Sequence, residues 1–235
     1  VEPIDAATDL VRHRFPHALA AFLGGTVLSP ARTPTSDLDI VVVRPDGETY
    51  RETVRHHGWP VELFLSTPVT YERILGREVA ARRSPLAHMV GRGAIIVDSD
   101  GTAARLQAEA AELLRQGPPP VSAEQVEDLR YGLSDLLDDL TGATDVDEST
   151  AIATRVFTET ALLALTLHGA WLGTGKWLAR QLRAADPGLH DTLMAAFRTA
   201  VAGEKAALTE VTGEVLDRAG GRLMEGYRRE KRFDG

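Results

Sequence analysis

The sequence predicts an α+β protein in which a mixed sheet flanked by helices is followed by an all-helical bundle. Two observations carry this. Strand-like runs of β-branched and aromatic residues, separated by Gly, Pro and Asp turns, occur only before Pro118-Pro119-Pro120, and helical spacing of apolar residues dominates after it. Three consecutive prolines cannot continue a helix and favour a stiff extended connection. The domain boundary is therefore placed there, giving residues 1–117 and 121–235. A chain of 235 residues is long enough for two such cores.

Along the chain, Ile4 to Leu23 shows helical spacing with Asp5 as a candidate N-cap and Pro16 as a kink or break. "LDIVVV" from Leu38 is a strand, "RPDGE" a turn, and "TYRETVRHHGWPVELFLS" two strands joined near His57-Gly58. "TPVTYERILGREVAARR" is helical, with Thr67 capping ahead of Pro68. "AIIVDSDG" is a short strand, and "TAARLQAEAAELLRQG" a helix stopped by Gly117. In the second half, Ser122–Leu140, Ser149–Leu172, Lys176–Ala185, Leu189–Val201 and Lys205–Ala219 read as helices. The last stretch, "GGRLMEGYRREKRFDG", is Gly-rich then charged and is expected to fray at its end.

Composition narrows the function. A net charge of -8 disfavours a broad electrostatic grip on nucleic acid, which needs Lys and Arg against phosphates, and suits a cationic substrate better. Without cysteine there are neither disulfides nor thiolate metal sites. Residues 1–21 carry Asp5, Asp9, Arg12 and Arg14, unlike a signal peptide, and no uninterrupted apolar stretch reaches about 18 residues. A cytoplasmic protein with no membrane partner is expected. A monomer and a homodimer are both left open.

The chemistry-bearing pattern lies between Ala20 and Leu65. Strand alternation sends Asp37 and Asp39 to one face, with Leu38, Ile40 and Val42 on the other. Two carboxylates so close repel unless a cation lies between them, and a hard divalent ion such as Mg²⁺ is the usual answer. Gly24-Gly25-Thr26 stands upstream, where glycine lets backbone N–H groups approach an anion. Glu62 interrupts the apolar strand "WPVELFLS", opposite in face to Val61, Leu63 and Leu65.

Together these residues resemble the nucleotidyltransferase superfamily related to DNA polymerase β. "LGG", eleven residues, "DLDI" and then "VEL" follow its pattern of a glycine turn, an Asp-x-Asp strand and a third acid. Thr26 stands where serine is common and keeps the hydroxyl. The resemblance implies Asp37, Asp39 and Glu62 as catalytic and metal-binding residues, with Glu62 either a metal ligand or the base that takes the acceptor proton. It implies Gly24, Gly25, Thr26 and Ser36 as contacts of a nucleoside triphosphate. Lys176 opens "KWLARQLR", which is similar to the start of a helix in the C-terminal bundles of small-molecule members, where a basic residue reaches the triphosphate. Arg180 and Arg183 share its helical face.

The implied reaction is Mg²⁺-dependent transfer of a nucleoside monophosphate, AMP from ATP in the first instance, to a hydroxyl of a small acceptor resembling an aminoglycoside. Transfer to RNA or protein, and a non-catalytic binding module of the same fold, are the alternatives.

Other signals carry less. "GTGK" at Gly173–Lys176 lacks the first glycine and the Ser/Thr of a P-loop, with Ala170 and Trp177 among its neighbours. His13 and His17 have ligand spacing, but Pro16 interrupts their helix; His56 and His57 are sent to opposite faces by strand alternation, so neither pair is expected to bind metal. Arg82-Arg83 is either a solvated pair or a nucleotide contact. Glu127, Asp128, Asp135 and Glu159 are acids that would attract a cationic acceptor if they face it.

Overall fold

The architecture starts from β2 (Leu38–Val43), whose alternation is the pattern the sequence advertises. In the computed structural model, which describes residues 1–30 and 32–230, it lies at the centre of a five-stranded sheet. The strands are β1 (Ala20–Gly24), β2, β3 (Tyr50–His56), β4 (Trp59–Ser66) and β5 (Ala94–Asp98), in the order β3-β4-β2-β1-β5. β2 runs parallel to β4, and the remaining neighbours are antiparallel. The sheet is therefore mixed, as the sequence predicts.

Each face of this sheet is covered by helices. Leu38, Ile40, Val42, Val61, Leu63 and Leu65 pack on α1 (Pro3–Arg14) through Ala6, Ala7, Leu10 and Val11. Phe22, Val41 and Val43 face the other way, onto α2 (Pro68–Ala80), α3 (Pro85–Gly91) and α4 (Thr102–Gln116). Full burial of a Leu or Ile side chain contributes about 1.5–3 kcal/mol. A one-residue slip of β2 would exchange those side chains for Asp37 and Asp39, so the core fixes where the carboxylates point.

Local chemistry starts and stops the helices. Thr67 and Thr70 form a reciprocal cap at the start of α2, each side chain accepting from the other's backbone N–H. Gly117 (φ +85°) closes α4 in a conformation that favours glycine. α1 ends at Arg14, before Pro16, and Ala20–Gly24, which overlaps the stretch expected to be helical through Leu23, forms β1. All five residues of β1 are buried, and a short apolar run buried on both faces has no periodicity to separate strand from helix. Asp5 lies in the first turn of α1, and the N-cap is Glu2. The two-turn helix α3, opened by Ser84 and Pro85, is too short to show a period.

The chain divides into two compact units, Val1–Pro118 and Pro119–Gly235. The second is entirely helical among the described residues: α5 (Ala123–Gly142), α6 (Val146–Leu167), α7 (Lys176–Ala185), α8 (Pro187–Val201) and α9 (Ala206–Arg218). α6 is central and packs against the other four. Ser122, Asp145 and Asp186 cap α5, α6 and α8. α6 ends earlier than its apolar pattern suggests because Gly169 (φ +61°) turns the chain. By length and hydropathy α6 is the one helix among the described residues that could cross a bilayer, but its Val156, Ala161, Leu163 and Leu165 form the centre of this unit's core.

Up to residue 230 the C-terminal segment is held against α5. Arg130 donates to the carbonyls of Gly220 and Gly221, Arg222 pairs with Asp138 at 2.6 Å, and Tyr227 stacks on Tyr131 with ring centres 4.0 Å apart. Arg222 and Arg229 thus find partners on α5. Residues 231–235, which the sequence reading included in this tail, lie outside the described residues.

Candidate active site

Three carboxylates meet where β2 and β4 begin. Asp37 immediately precedes β2, Asp39 is its second residue, and the parallel register sets Asp39 beside Glu62 of β4. One oxygen from each of Asp37, Asp39 and Glu62 lies within 4.8 Å of the others, and all three side chains are half-buried. Unit charges about 4 Å apart repel by about 1 kcal/mol in water and about 4 kcal/mol at the dielectric of a protein surface. The cluster therefore favours any cation placed among its oxygens.

In this structure the cation is Arg51. β3 pairs antiparallel with β4 so that Thr53 opposes Glu62, and Arg51, two residues on, shares that face. Its guanidinium contacts both Glu62 oxygens at 2.5 Å. The Glu62 hydrogen bond, followed by the fields of Glu62, Asp39 and Asp37, raises the Arg51 pKa above its ordinary value. Sequence reasoning did not single out Arg51. Counting the register back from the His57-Gly58 turn would have placed it diagonally across from Glu62.

The glycine turn adjoins the same carboxylates. Gly24 ends β1 opposite Asp39. Gly25 has φ +84° and ψ 179°, a region essentially reserved for glycine, and a Cβ there would run into the Asp39 carboxylate. Thr26 opens a short 3-10 turn, Thr26–Leu28. Its hydroxyl lies 3.3 Å from that of buried Ser36, which also accepts from the Thr33 backbone N–H at 2.9 Å. Gly24, Gly25, Thr26, Ser36, Asp37, Asp39 and Glu62 thus belong to one neighbourhood of the first unit.

The donor set of Asp37, Asp39 and Glu62 is all carboxylate oxygen, the chemistry that Mg²⁺ prefers over softer ions. A cluster already able to hold a guanidinium charge fits such an ion.

Lys176 belongs to the second unit, where it is the first residue of α7 and exposed. Arg180 lies over the Trp177 ring at 4.9 Å, Arg183 is exposed, and Leu178 and Leu182 form the buried face. Gly173–Lys176 follows a helix, so it lacks the strand a P-loop needs. The Arg82-Arg83 pair divides: Arg83 is exposed, whereas Arg82 is buried with φ +55° and its pKa is lowered by desolvation.

Of the acids in the second unit, Asp128 accepts from Arg229 Nε at 2.7 Å and from the Tyr227 hydroxyl at 2.9 Å. Glu127 pairs with Arg229 at 3.2 Å and Glu159 with Arg155 at 3.0 Å. Asp135 is exposed. Three of the four carboxylates therefore already meet a cation within their own unit.

No protein-family model matches the chain, and no curated protein matches it in sequence. Among solved structures it is similar to a nucleotidyltransferase-like protein from Exiguobacterium sibiricum 255-15, at 17% identity and a TM-score of 0.43, over 91% of this chain and 78% of that one. A likeness of that size carries no activity over to this chain.

Proposed function

We propose that this protein is a Mg²⁺-dependent nucleotidyltransferase. It moves a nucleoside monophosphate, AMP from ATP, to a hydroxyl of a small cationic acceptor of aminoglycoside type, with release of pyrophosphate. The observation that carries this reading is the convergence of Asp37, Asp39 and Glu62 beside a glycine turn whose Gly25 gives way to the Asp39 carboxylate.

Asp37 and Asp39 would hold the metal, and Glu62 would either join them or receive the proton of the acceptor hydroxyl. Mg²⁺ bound here would stabilise the charge that builds on the attacking and leaving oxygens. The Gly25 backbone and the Thr26 and Ser36 hydroxyls are the contacts for the triphosphate. Arg51 offsets the three carboxylates when no metal is bound. With Mg²⁺ bound, the Arg51 guanidinium would be available to phosphate oxygens.

The acceptor class rests on the net charge of -8, which suits a polycation. Of the basic residues that leave room for transfer to RNA, Arg229 is already paired with Asp128 and Glu127, as is Arg222 upstream with Asp138, whereas Arg228 is exposed. A cytoplasmic setting agrees with the absence of cysteine.

The test is incubation with Mg²⁺, each nucleoside triphosphate and a panel of aminoglycosides, polyamino alcohols and bulk tRNA, following pyrophosphate and acceptor mass. A nucleotide-sized mass gain on one small acceptor, absent in Asp37→Asn, establishes the reaction. Mass gain on tRNA alone would replace the small acceptor with a macromolecule. Mg²⁺-nucleotide binding that persists in both proteins without pyrophosphate release would leave a binding module in its place.

A further inference from the structure

A second cluster of metal-ligating side chains lies on the opposite face of the β3–β4 hairpin. Asp9 projects from α1, and its Oδ2 lies 2.8 Å from His56 Nε2 and 3.1 Å from His57 Nε2. Its Oδ1 is 3.1 Å from His13 Nδ1, one helical turn along. Asp9, His56 and His57 each offer a ligand atom within 4.8 Å of the other two. His17 lies past the end of α1 and outside the group.

The expectation that His56 and His57 point apart fails for a local reason. His56 is the last residue of β3 and pairs with Trp59, which packs on the α1 side of the sheet. His57 has left β3: with φ +47°, followed by Gly58 at φ +85°, it forms the two-residue hairpin turn. Both residues are left-handed, so strand alternation no longer applies. The two imidazoles end 4.3 Å apart, edge to face, over one carboxylate.

We propose that Asp9, His56 and His57 form a binding site for a divalent first-row transition ion of the Zn²⁺ type, separate from the carboxylate cluster. Two imidazole nitrogens and one carboxylate oxygen are the three-ligand set of an open zinc site, leaving a position for water. A tetrahedral ion with bonds of about 2.0–2.1 Å holds its ligand atoms about 3.3 Å apart, close to the two Asp9–imidazole spacings, and all three ligand atoms already lie within 4.8 Å of one another. Imidazole selects such ions over Mg²⁺, which takes oxygen ligands and keeps its water. His13, on the second oxygen of Asp9, orients the carboxylate as an outer partner.

His56 is about a quarter exposed, and Asp9 and His57 more so, which leaves the site open to solvent. Bound metal would clip α1 to the edge hairpin. Arg14 with Glu52, and the Trp59 indole donating to the Val1 carbonyl, already bridge the same seam.

The experiment titrates Zn²⁺ into the metal-stripped full chain against a chromophoric chelator, and records the visible spectrum with Co²⁺. Three variants accompany wild type: His56→Ala/His57→Ala, His57→Asn, which suits a left-handed turn, and Asp37→Asn/Asp39→Asn. Wild type and the aspartate variant are expected to bind one Zn²⁺ equivalently and to show the intense Co²⁺ bands of a four-coordinate site. The double histidine variant should lose at least about 100-fold in affinity and His57→Asn about tenfold or more, both keeping the wild-type circular dichroism spectrum. Zinc binding that is unchanged in the histidine variants, or lost only in the aspartate variant, overturns the proposal. So does a wild-type protein that binds no Zn²⁺ at concentrations up to about 100 µM, given that protein zinc sites are far tighter.

Discussion

The two faces of the β3–β4 hairpin carry opposite solutions to one electrostatic problem. On one face Asp37, Asp39 and Glu62 crowd three negative charges together, and Arg51 answers them. On the other a single carboxylate, Asp9, is surrounded by His13, His56 and His57. Neighbouring residues of β3 serve the two sides: Arg51 turns to the acids, while Glu52 and His56 turn to α1. The first cluster has an excess of hard anionic oxygen and suits Mg²⁺; the second is rich in imidazole and suits zinc-type ions. Ligand chemistry, more than position, separates what each can do.

The largest effect should come from breaking the acid side. Asp39→Asn is expected to lower nucleotidyl transfer at least about 10³-fold, equivalent to about 4 kcal/mol of transition-state stabilisation. The Tm of the metal-free variant separates chemistry from fold: a Tm kept at the wild-type value assigns the lost activity to the missing carboxylate in the site. A Tm drop alongside lost activity would mean that the carboxylate serves the fold. Asp9→Asn should leave transfer within about twofold of wild type, since distant independent sites behave additively.

Gly25→Ala comes next. It imposes a side chain on a backbone conformation that costs about 1–3 kcal/mol for other residues, and its Cβ displaces Asp39. Urea denaturation should show that loss directly, with transfer falling further than stability alone explains. Gly58→Asn, on the other face, has φ +85° but open space around its Cβ position. Its cost should stay within about 1 kcal/mol because asparagine suits hairpin turns.

A smaller effect tests charge replacement. Arg51→Ala removes the cation that competes for Glu62, so Mg²⁺ should bind tighter by up to about tenfold, or about 1.4 kcal/mol. Calorimetric titration of Mg²⁺ into the metal-free variant measures this. Weaker Mg²⁺ binding would mean that Arg51 positions Glu62 for the ion. The sign of the change therefore decides which role the guanidinium has.

The same contrast explains how far the sequence could be read. Asp39 and Glu62 sit in regular strands and Asp37 at the entrance to one, where period-2 alternation predicts the face of each side chain, and the structure brings their oxygens together. The mixed sheet and the helices of the second half were legible for the same reason: long periodic segments declare themselves. β1 was not, because Ala20–Gly24 is buried on both faces and carries no period. Arg51 needed a register count across the hairpin. The His56-His57 cluster was hidden by φ +47° at one histidine, a conformation that alternation ignores. The pairing of Arg222 and Arg229 along α5 depends on contacts about 84 to 105 residues apart in sequence, which no local pattern encodes.

The smallest expected effect lies at the acid end of the pH range. Hydrogen bonds from His56 and then His57 hold the Asp9 carboxyl below its ordinary pKa, outweighing a minor opposing desolvation. A carboxyl with a lowered folded pKa binds its proton less readily in the native state, so its stabilisation is present above the unfolded value of about 3.9. It is lost as pH falls through the lower folded value. Metal-free wild type should therefore melt slightly above Asp9→Asn at neutral pH, and the gap should close only below about pH 3.9. A gap that persists unchanged at lower pH would assign the difference to packing of the side chain rather than to its charge.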